Sequence, residues 1–193
     1  IHETTGLPQS SLMSCSWDEE AAYAYGCIAA SEAASMGGNY LLAPQADTVH
    51  TPHFLRNRDM KGEDSFLASR LCAAEARGIQ SQHVVATVKH FGVANVRDNK
   101  GDPDKNVIVD EQTLHETYLR PFERTLKEGN AGSIMSSYNV LNGAYSTENT
   151  YLNKDVLRRM WQFDGSVMSD WGAVHRFTLD RGMDIEMPYG DPA

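Results

Sequence analysis

The sequence has 193 residues, which is enough for one domain of ordinary size. Hydrophobic residues make up 41% of it and charged residues 22%, which excludes the disordered, collagen-like and disulfide-scaffold classes of protein. The 26 Asp and Glu residues outnumber the 17 Lys and Arg residues, so the net charge is −9. This charge argues against a nucleic-acid partner and against attraction to an anionic membrane. We therefore expect the partner to be neutral or small.

Four helices are predicted from hydrophobic periodicity and capping residues. They cover about residues 17–36, 65–80, 111–128 and 154–161, and their N-terminal capping residues are Ser16, Asp64, Asp110 and Asn153. Short β-rich runs lie between them at 40–43, 84–88, 133–137 and 166–168, and a last one is expected near 182–186. The polar stretch 97–106 is predicted to be a loop. Strands that alternate with helices pair in parallel through crossovers, so the predicted class is α/β, with parallel strands and outer helices.

Polar and aromatic side chains collect at the carboxyl ends of three predicted strands. Lys89 and His90 end the second run, Tyr138 follows the third, and Asp170 and Trp171 follow the fourth. Parallel α/β sheets and barrels bind their ligands at this edge, so we expect these residues to share one pocket. A few placed polar groups with an aromatic rim suit a sugar. Taken singly, each residue also has a structural explanation, as a capping carboxylate, a solvated lysine or a core aromatic.

Other kinds of site find little support in the sequence. His50 and His53 lie close together but have no third ligand at regular spacing, so no metal site is predicted. Glycine-rich nucleotide loops and the Gly-x-Ser-x-Gly motif are absent. The cysteines Cys15, Cys27 and Cys72 form neither a zinc motif nor an even disulfide set, and we expect buried thiols.

The sequence also contains no sign of membrane insertion. No apolar run approaches the roughly 20 residues that a membrane-spanning helix needs. The first residues lack the basic and apolar regions of a signal peptide. We expect a soluble protein, and the sequence leaves open whether it is secreted, periplasmic or cytoplasmic.

A series of short motifs extends over nearly the whole chain. In order they are Arg56-Asn57, Gly62-Glu63-Asp64, the segments 77–82, 86–91 and 110–114, Pro121-Phe122-Glu123, and the segments 136–139, 165–172 and 186–188. Together they resemble glycoside hydrolase family 3, and more closely its β-glucosidase-type members. The resemblance implies a (β/α)8 barrel. Because such a barrel needs about 250 residues, we expect residues 1–193 to form part of one catalytic barrel domain, without its N-terminal start and without a C-terminal α/β sandwich domain.

The resemblance also implies roles for individual residues. Asp170, in the Ser-Asp-Trp segment, matches the family's nucleophile. The residues that match the sugar-binding subsite are Arg56, Lys89, His90, Tyr138 and Trp171. Asp59 stands where Glu is common in the family, which puts the shape of the subsite in question.

The implied function is a retaining glycoside hydrolase that cleaves terminal β-D-glucosyl or similar residues through a covalent glycosyl-Asp intermediate. Such an enzyme needs no cofactor, and its substrate would be a β-glucoside or an oligosaccharide. The second carboxyl, which acts as general acid and base, would come from the rest of the polypeptide or from a partner chain. We therefore expect little turnover from the isolated 193-residue chain.

Two other functions stay open at this point. One is a non-hydrolytic carbohydrate-binding or scaffold fragment that keeps the pocket but lacks the acid/base residue. The other is a barrel aldolase or lyase in which Lys89 forms a Schiff base, which would require a desolvated lysine with a lowered pKa.

Overall fold

A computed structural model describes residues 4–54, 56–94, 106–176 and 179–188. Within these ranges four strands form a parallel sheet, in the spatial order β1 (Tyr40–Leu41), β2 (Val85–Phe91), β3 (Ser133–Ser136) and β6 (Ser166–Ser169). A separate antiparallel pair follows β3 and consists of β4 (Val140–Leu141) and β5 (Ala144–Tyr145). The predicted α/β class with parallel strands is confirmed.

Helices alternate with the strands of the sheet. Two precede β1, namely α1 (Ser10–Ser14) and α2 (Glu19–Ser35), and α3 (Ser65–Ser81) connects β1 to β2. Between β2 and β3 one continuous helix is formed by α4 (Glu111–Thr113), a π-helical segment (Leu114–Leu119) and α5 (Arg120–Lys127). A second π-helical segment (Tyr151–Met160) precedes β6, and short 3-10 turns occur at Asn57–Asp59, Ser146–Glu148 and Leu179–Arg181.

Two of the predicted helix caps are confirmed. The Asp64 carboxylate accepts hydrogen bonds from the amides of Phe66 and Leu67 at 2.7 and 3.4 Å, and Asp110 accepts one from the Thr113 amide at 2.9 Å. Each carboxylate satisfies amide groups that have no partner inside the first turn.

The other two predicted helix starts are wrong. Asp18, not Ser16, caps α2, because its carboxylate accepts from the Glu20 amide at 2.8 Å. The last helix begins at Tyr151 rather than after Asn153, because the Asn149 side chain accepts from the Leu152 amide at 3.2 Å. Asn153 is instead buried inside this segment, where its amide donates to main-chain carbonyl groups.

Other sequence predictions also need correction. The first strand ends at Leu41 instead of residue 43, and the run at 182–186 makes only an isolated parallel bridge, between Met168 and Ile185. Cys72 is buried as expected, whereas Cys27 is half-buried and Cys15 is exposed, because Cys15 ends α1 at the surface. The predicted loop at 97–106 lies outside the described residues except for its last residue.

Helices α2 and α3 pack with their backbones in close contact at two glycines. A Cβ atom at Gly26 would overlap the carbonyl oxygen of Glu75, and one at Gly78 would overlap that of Tyr23. Only glycine allows this approach, so each helix carries the residue that the other requires. Helix α3 in turn packs against β2 and α5, so α3 lies between α2 and the sheet.

A buried ion pair joins α3 to the segment that follows Arg56. The Lys61 ammonium donates to the Glu75 carboxylate at 2.5 Å and also to the Ser10 hydroxyl, and the two charged side chains are 1% and 5% exposed. The Tyr25 ring lies against the same ammonium group. This pair fixes the end of the Arg56 segment against the helical layer.

Candidate active site

The hydrogen-bond ladder of the sheet continues past the ends of its strands. Beyond β1, the Ala46 amide donates to the Lys89 carbonyl at 2.7 Å, which brings Asp47 beside His90. Beyond β3, the Ser137 amide donates to the Phe91 carbonyl at 3.0 Å, and the Asp170 amide donates to the Ser136 carbonyl at 3.1 Å. Asp47, His90 and Asp170 therefore converge at the carboxyl edge of the parallel sheet, where α/β folds bind ligands.

His90 lies at the centre of this group. Its Nδ1 is 2.9 Å from Asp47 Oδ2, and its main-chain amide donates to the same oxygen at 3.1 Å. On the other side of the ring, Nε2 is 3.3 Å from Arg56 Nη1 and 3.4 Å from Asp170 Oδ2. Nδ1 thus faces the Asp47 carboxylate, whereas Nε2 faces both the Arg56 guanidinium and the Asp170 carboxylate.

The guanidinium of Arg56 is held from three directions. Its Nη1 contacts His90, its Nη2 donates to Gln45 Oε1 at 3.1 Å, and its Nε donates to Asp59 Oδ2 at 3.1 Å. The side chain nevertheless stays 44% exposed, so it presents further N–H groups toward the open edge of the sheet.

Lys89 lies beside these charged groups and is half-buried. Burial lowers the pKa of its ammonium group, and the positive charge of Arg56 lowers it further. The carboxylates of Asp170, Asp47 and Asp59 act in the opposite direction without reversing the shift. The Lys89 ammonium group therefore loses its proton more readily than that of a surface lysine, although three carboxylates lie near it.

Asp170 has its two carboxylate oxygens in different surroundings. Oδ1 accepts from the amide of Trp171 at 2.7 Å, and Oδ2 faces His90. The hydroxyl of Tyr138 donates to the Trp171 carbonyl at 2.8 Å; burial, together with the Asp170 charge and a side-chain hydrogen bond to it, raises the pKa of Tyr138 to about 12. The Trp171 indole is 65% exposed and borders the open side of the group.

A second network of polar side chains surrounds the carboxyl end of β3. The Asn139 amide donates to the Gly92 carbonyl at 2.7 Å, and the Ser137 hydroxyl contacts the Asn139 and Ser146 side chains. Gly92 has a φ of +122°, and a Cβ there would overlap the Ser146 hydroxyl. This network ties the turn after β2 to the turn after β3, and so fixes the edge on which His90 and Asp170 lie.

All six site residues expected from the sequence thus lie at one edge of the sheet. A family model described as the glycosyl hydrolase family 3 N terminal domain matches residues 1–187. The chain belongs to glycosyl hydrolase family 3. The expected family is therefore confirmed.

Several family 3 relatives are similar to this chain over almost all of its length. Thermostable beta-glucosidase B of Acetivibrio thermocellus is 40% identical over 186 residues, which are 95% of this chain and 24% of the relative. Beta-glucosidase B of Emericella nidulans is 38% identical over 184 residues, or 94% of this chain and 22% of the relative. The chain therefore spans about a quarter of the length of the curated relatives that it matches.

The fold agrees with solved family 3 structures. The crystal structure of DesR, a β-glucosidase from Streptomyces venezuelae in complex with D-glucose, superposes with a TM-score of 0.92 at 34% identity, covering 99% of this chain and 24% of that one. Together with the parallel sheet and its outer helices, this likeness supports the expected partial (β/α)8 barrel.

The described part of this family 3 chain yields two negative findings. Within it, no three His, Cys, Asp or Glu side chains are grouped so that they could hold a metal ion. None of its helices is long and apolar enough to cross a membrane.

Three residues that contact the site were missed as site residues from the sequence. Asp47 and Gln45 follow the short strand β1, and Asp59 lies in the 3-10 turn beside Arg56. The signal of Gln45 and Asp47 was the same as that of Asp170, because they also follow the carboxyl end of a strand. The two-residue strand β1 was too short for that position to stand out.

Proposed function

We propose that this chain forms the nucleophile-bearing and sugar-binding part of a retaining β-glucosidase. The observation that carries the proposal is the convergence of Asp170, His90 and Arg56 at the carboxyl edge of the sheet, in a chain that belongs to a glycosyl hydrolase family. The relatives named above are β-glucosidases, and one solved relative is a complex with D-glucose.

In this mechanism the Asp170 carboxylate attacks the anomeric carbon of a bound glucoside. The bond from that carbon to the leaving-group oxygen breaks as the new bond to Asp170 forms, and a separate carboxylic acid protonates the leaving group. Water, deprotonated by the same second carboxyl, then attacks the glycosyl-enzyme and releases Asp170. We propose that this second carboxyl comes from the rest of the polypeptide or from a partner chain.

The surroundings of Asp170 suit a nucleophile. Lys89 and Arg56 bring positive charge close to it. The Trp171 amide holds Oδ1 at 2.7 Å, and so orients the carboxylate before a substrate binds.

The remaining polar groups of the site suit a neutral, hydroxyl-rich ligand. Arg56 and Lys89 can donate to sugar hydroxyls, and the Tyr138 hydroxyl, whose pKa is raised to about 12, keeps its proton at neutral pH. Trp171 offers an exposed indole face of the kind that packs against a pyranose ring. We therefore propose that the sugar lies between these donors and the indole.

Covalent trapping in the full-length protein tests this proposal. A 2-deoxy-2-fluoro glucoside should inactivate the enzyme and leave an adduct that peptide mass spectrometry locates on Asp170. Asp170→Asn should lower kcat by at least about 10⁴-fold, since the nucleophile is removed. Asp164→Asn is a matched control, because that exposed residue precedes the opposite end of β6. An adduct on another residue would contradict the assignment, and sugar binding without turnover would favour a non-hydrolytic binding protein.

The lowered pKa of Lys89 is also what a Schiff-base lysine would need, so the aldolase alternative has its own test. Borohydride reduction in the presence of a carbonyl substrate would trap such an adduct on Lys89. We expect no adduct, because we propose that Lys89 donates to a hydroxyl and that the reacting group is Asp170.

A further inference from the structure

Asp47 is a buried carboxylate that the mechanism above does not use. Its side chain is 1% exposed, and both donors to its Oδ2 belong to His90, namely the ring Nδ1 and the main-chain amide. Its Oδ1 is buried without a hydrogen-bond partner among the described residues. A buried carboxylate with hydrogen bonds to only one of its oxygens lowers the stability of the fold. A contribution to packing therefore does not explain why an aspartate stands at position 47.

The contacts of His90 decide which ring nitrogen carries the proton. Asp47 Oδ2 can only accept at 2.9 Å, which requires Nδ1–H. Arg56 Nη1 can only donate at 3.3 Å, which requires a free lone pair on Nε2. The charged groups that face the ring, Asp47, Arg56, Lys89 and Asp170, come from the segments after β1 and β6, the Arg56 turn and β2 itself. Asp170 Oδ2 lies 3.4 Å from Nε2 but makes no hydrogen bond with it, so the hydrogen bonds of the ring match the Nδ1–H tautomer.

We propose that Asp47 is a positioning residue for the sugar-binding edge of this site. It holds His90 as the Nδ1–H tautomer, so that Nε2 accepts from Arg56 and fixes the guanidinium. This proposal rests on the proposed glycosidase function for its consequence in catalysis.

The consequence follows from the opposite tautomer. If Nε2 carried the proton, its N–H would point at the Arg56 N–H, and the guanidinium would have to move away. Its N–H groups would then miss the sugar hydroxyls that they are proposed to bind. A displacement of about 1 Å in such a group can lower the rate about 100-fold. Asp47 touches no substrate in this scheme and acts through His90 and Arg56.

The tautomer of His90 can be measured directly. We would label the full-length protein with ¹⁵N-histidine, record solid-state NMR spectra at neutral pH, and assign His90 by its loss in His90→Gln. We expect the signature of a neutral ring with a protonated Nδ1. A protonated Nε2 or an imidazolium would overturn the proposal, and this result does not depend on whether the protein hydrolyses glucosides.

The variant Asp47→Asn tests the consequence for Arg56. An amide can present either its oxygen or its NH₂ group to Nδ1, so the tautomer should become mixed, and kcat/KM for an aryl β-glucoside should fall about 10- to 100-fold. Thermal unfolding should occur at or above the wild-type temperature, whereas a purely structural Asp47 would lower it. Asp164→Asn should leave all three measurements unchanged.

The remaining outcomes of the Asp47→Asn experiment decide whether Asp47 positions Arg56 through His90. A changed tautomer with unchanged kcat/KM would overturn the positioning role, and so would a lost activity with an unchanged tautomer. If the wild-type protein formed no Asp170 adduct and had no turnover, the proposed function would fail. The ¹⁵N signals of His90 and of the Arg56 guanidinium would then still decide whether Asp47 controls both side chains.

Discussion

Replacing Glu75 by Gln should destabilise the protein by about 3–5 kcal/mol, because Lys61 would then keep a buried charge without its partner. The two side chains are 1% and 5% exposed, and their charged atoms are 2.5 Å apart. Burial by itself would lower the pKa of Lys61, but the Glu75 carboxylate raises it above its ordinary value, so the lysine is charged at neutral pH. The free energy of unfolding can be measured by urea denaturation followed by far-UV circular dichroism.

A surface ion pair supplies the control for Glu75→Gln. Glu123 pairs with Lys127 at 2.6 Å, but these side chains are 39% and 47% exposed. Water screens this pair, so Glu123→Gln should cost no more than about 0.5 kcal/mol.

The double variant Lys61→Met/Glu75→Leu separates the lost charge pair from lost packing. It removes both buried charges, so it should cost less than Glu75→Gln alone. The reasoning would be refuted if Glu75→Gln cost as little as Glu123→Gln. It would also be refuted if the double variant cost the sum of its two single variants, since residues in contact should not be additive.

Two further predictions concern the helical layer. Gly78→Ala should destabilise the protein by about 1–3 kcal/mol, since its Cβ would overlap the Tyr23 carbonyl oxygen. Gly6→Ala, which has open space, should leave the unfolding free energy unchanged, and equal costs at the two sites would contradict the close α2–α3 contact. The pKa of Lys61 is raised above its ordinary value of 10.5 in the folded protein. The contribution of this lysine to the free energy of unfolding should therefore be fully present below pH 10.5, and it should be lost as the pH rises through the raised pKa. Lys61→Met should make this alkaline loss smaller in pH-dependent urea denaturation, and a wild-type profile that falls no more steeply than that of Lys61→Met would contradict it.

Much of the fold could be read from local signals. The Asp64 cap and the apolar spacing after it predicted α3 to within one residue at its end, since capping and periodicity are both properties of neighbouring residues. The last helix was placed about three residues late, because the side chain that caps it, Asn149, reaches forward from a turn whose shape depends on contacts with β4 and the segment after β6.

The site shows the same division between sequence and structure. The rule that ligand sites form at the carboxyl ends of parallel strands grouped His90 with Asp170, although 80 positions separate them in the numbering. It missed Asp47, because a two-residue strand gives no periodic pattern from which its end could be recognised.

The sequence by itself determined the family, the alternation of helices and strands, and the edge of the sheet at which polar side chains gather, since these depend on motifs, capping and periodicity. Only the tertiary structure decided that Asp47 meets His90, that His90 meets Arg56, and that Lys61 is buried against Glu75. The physical reason is that a charge becomes costly or useful according to its burial and its partners, and both are set by residues distant in the chain.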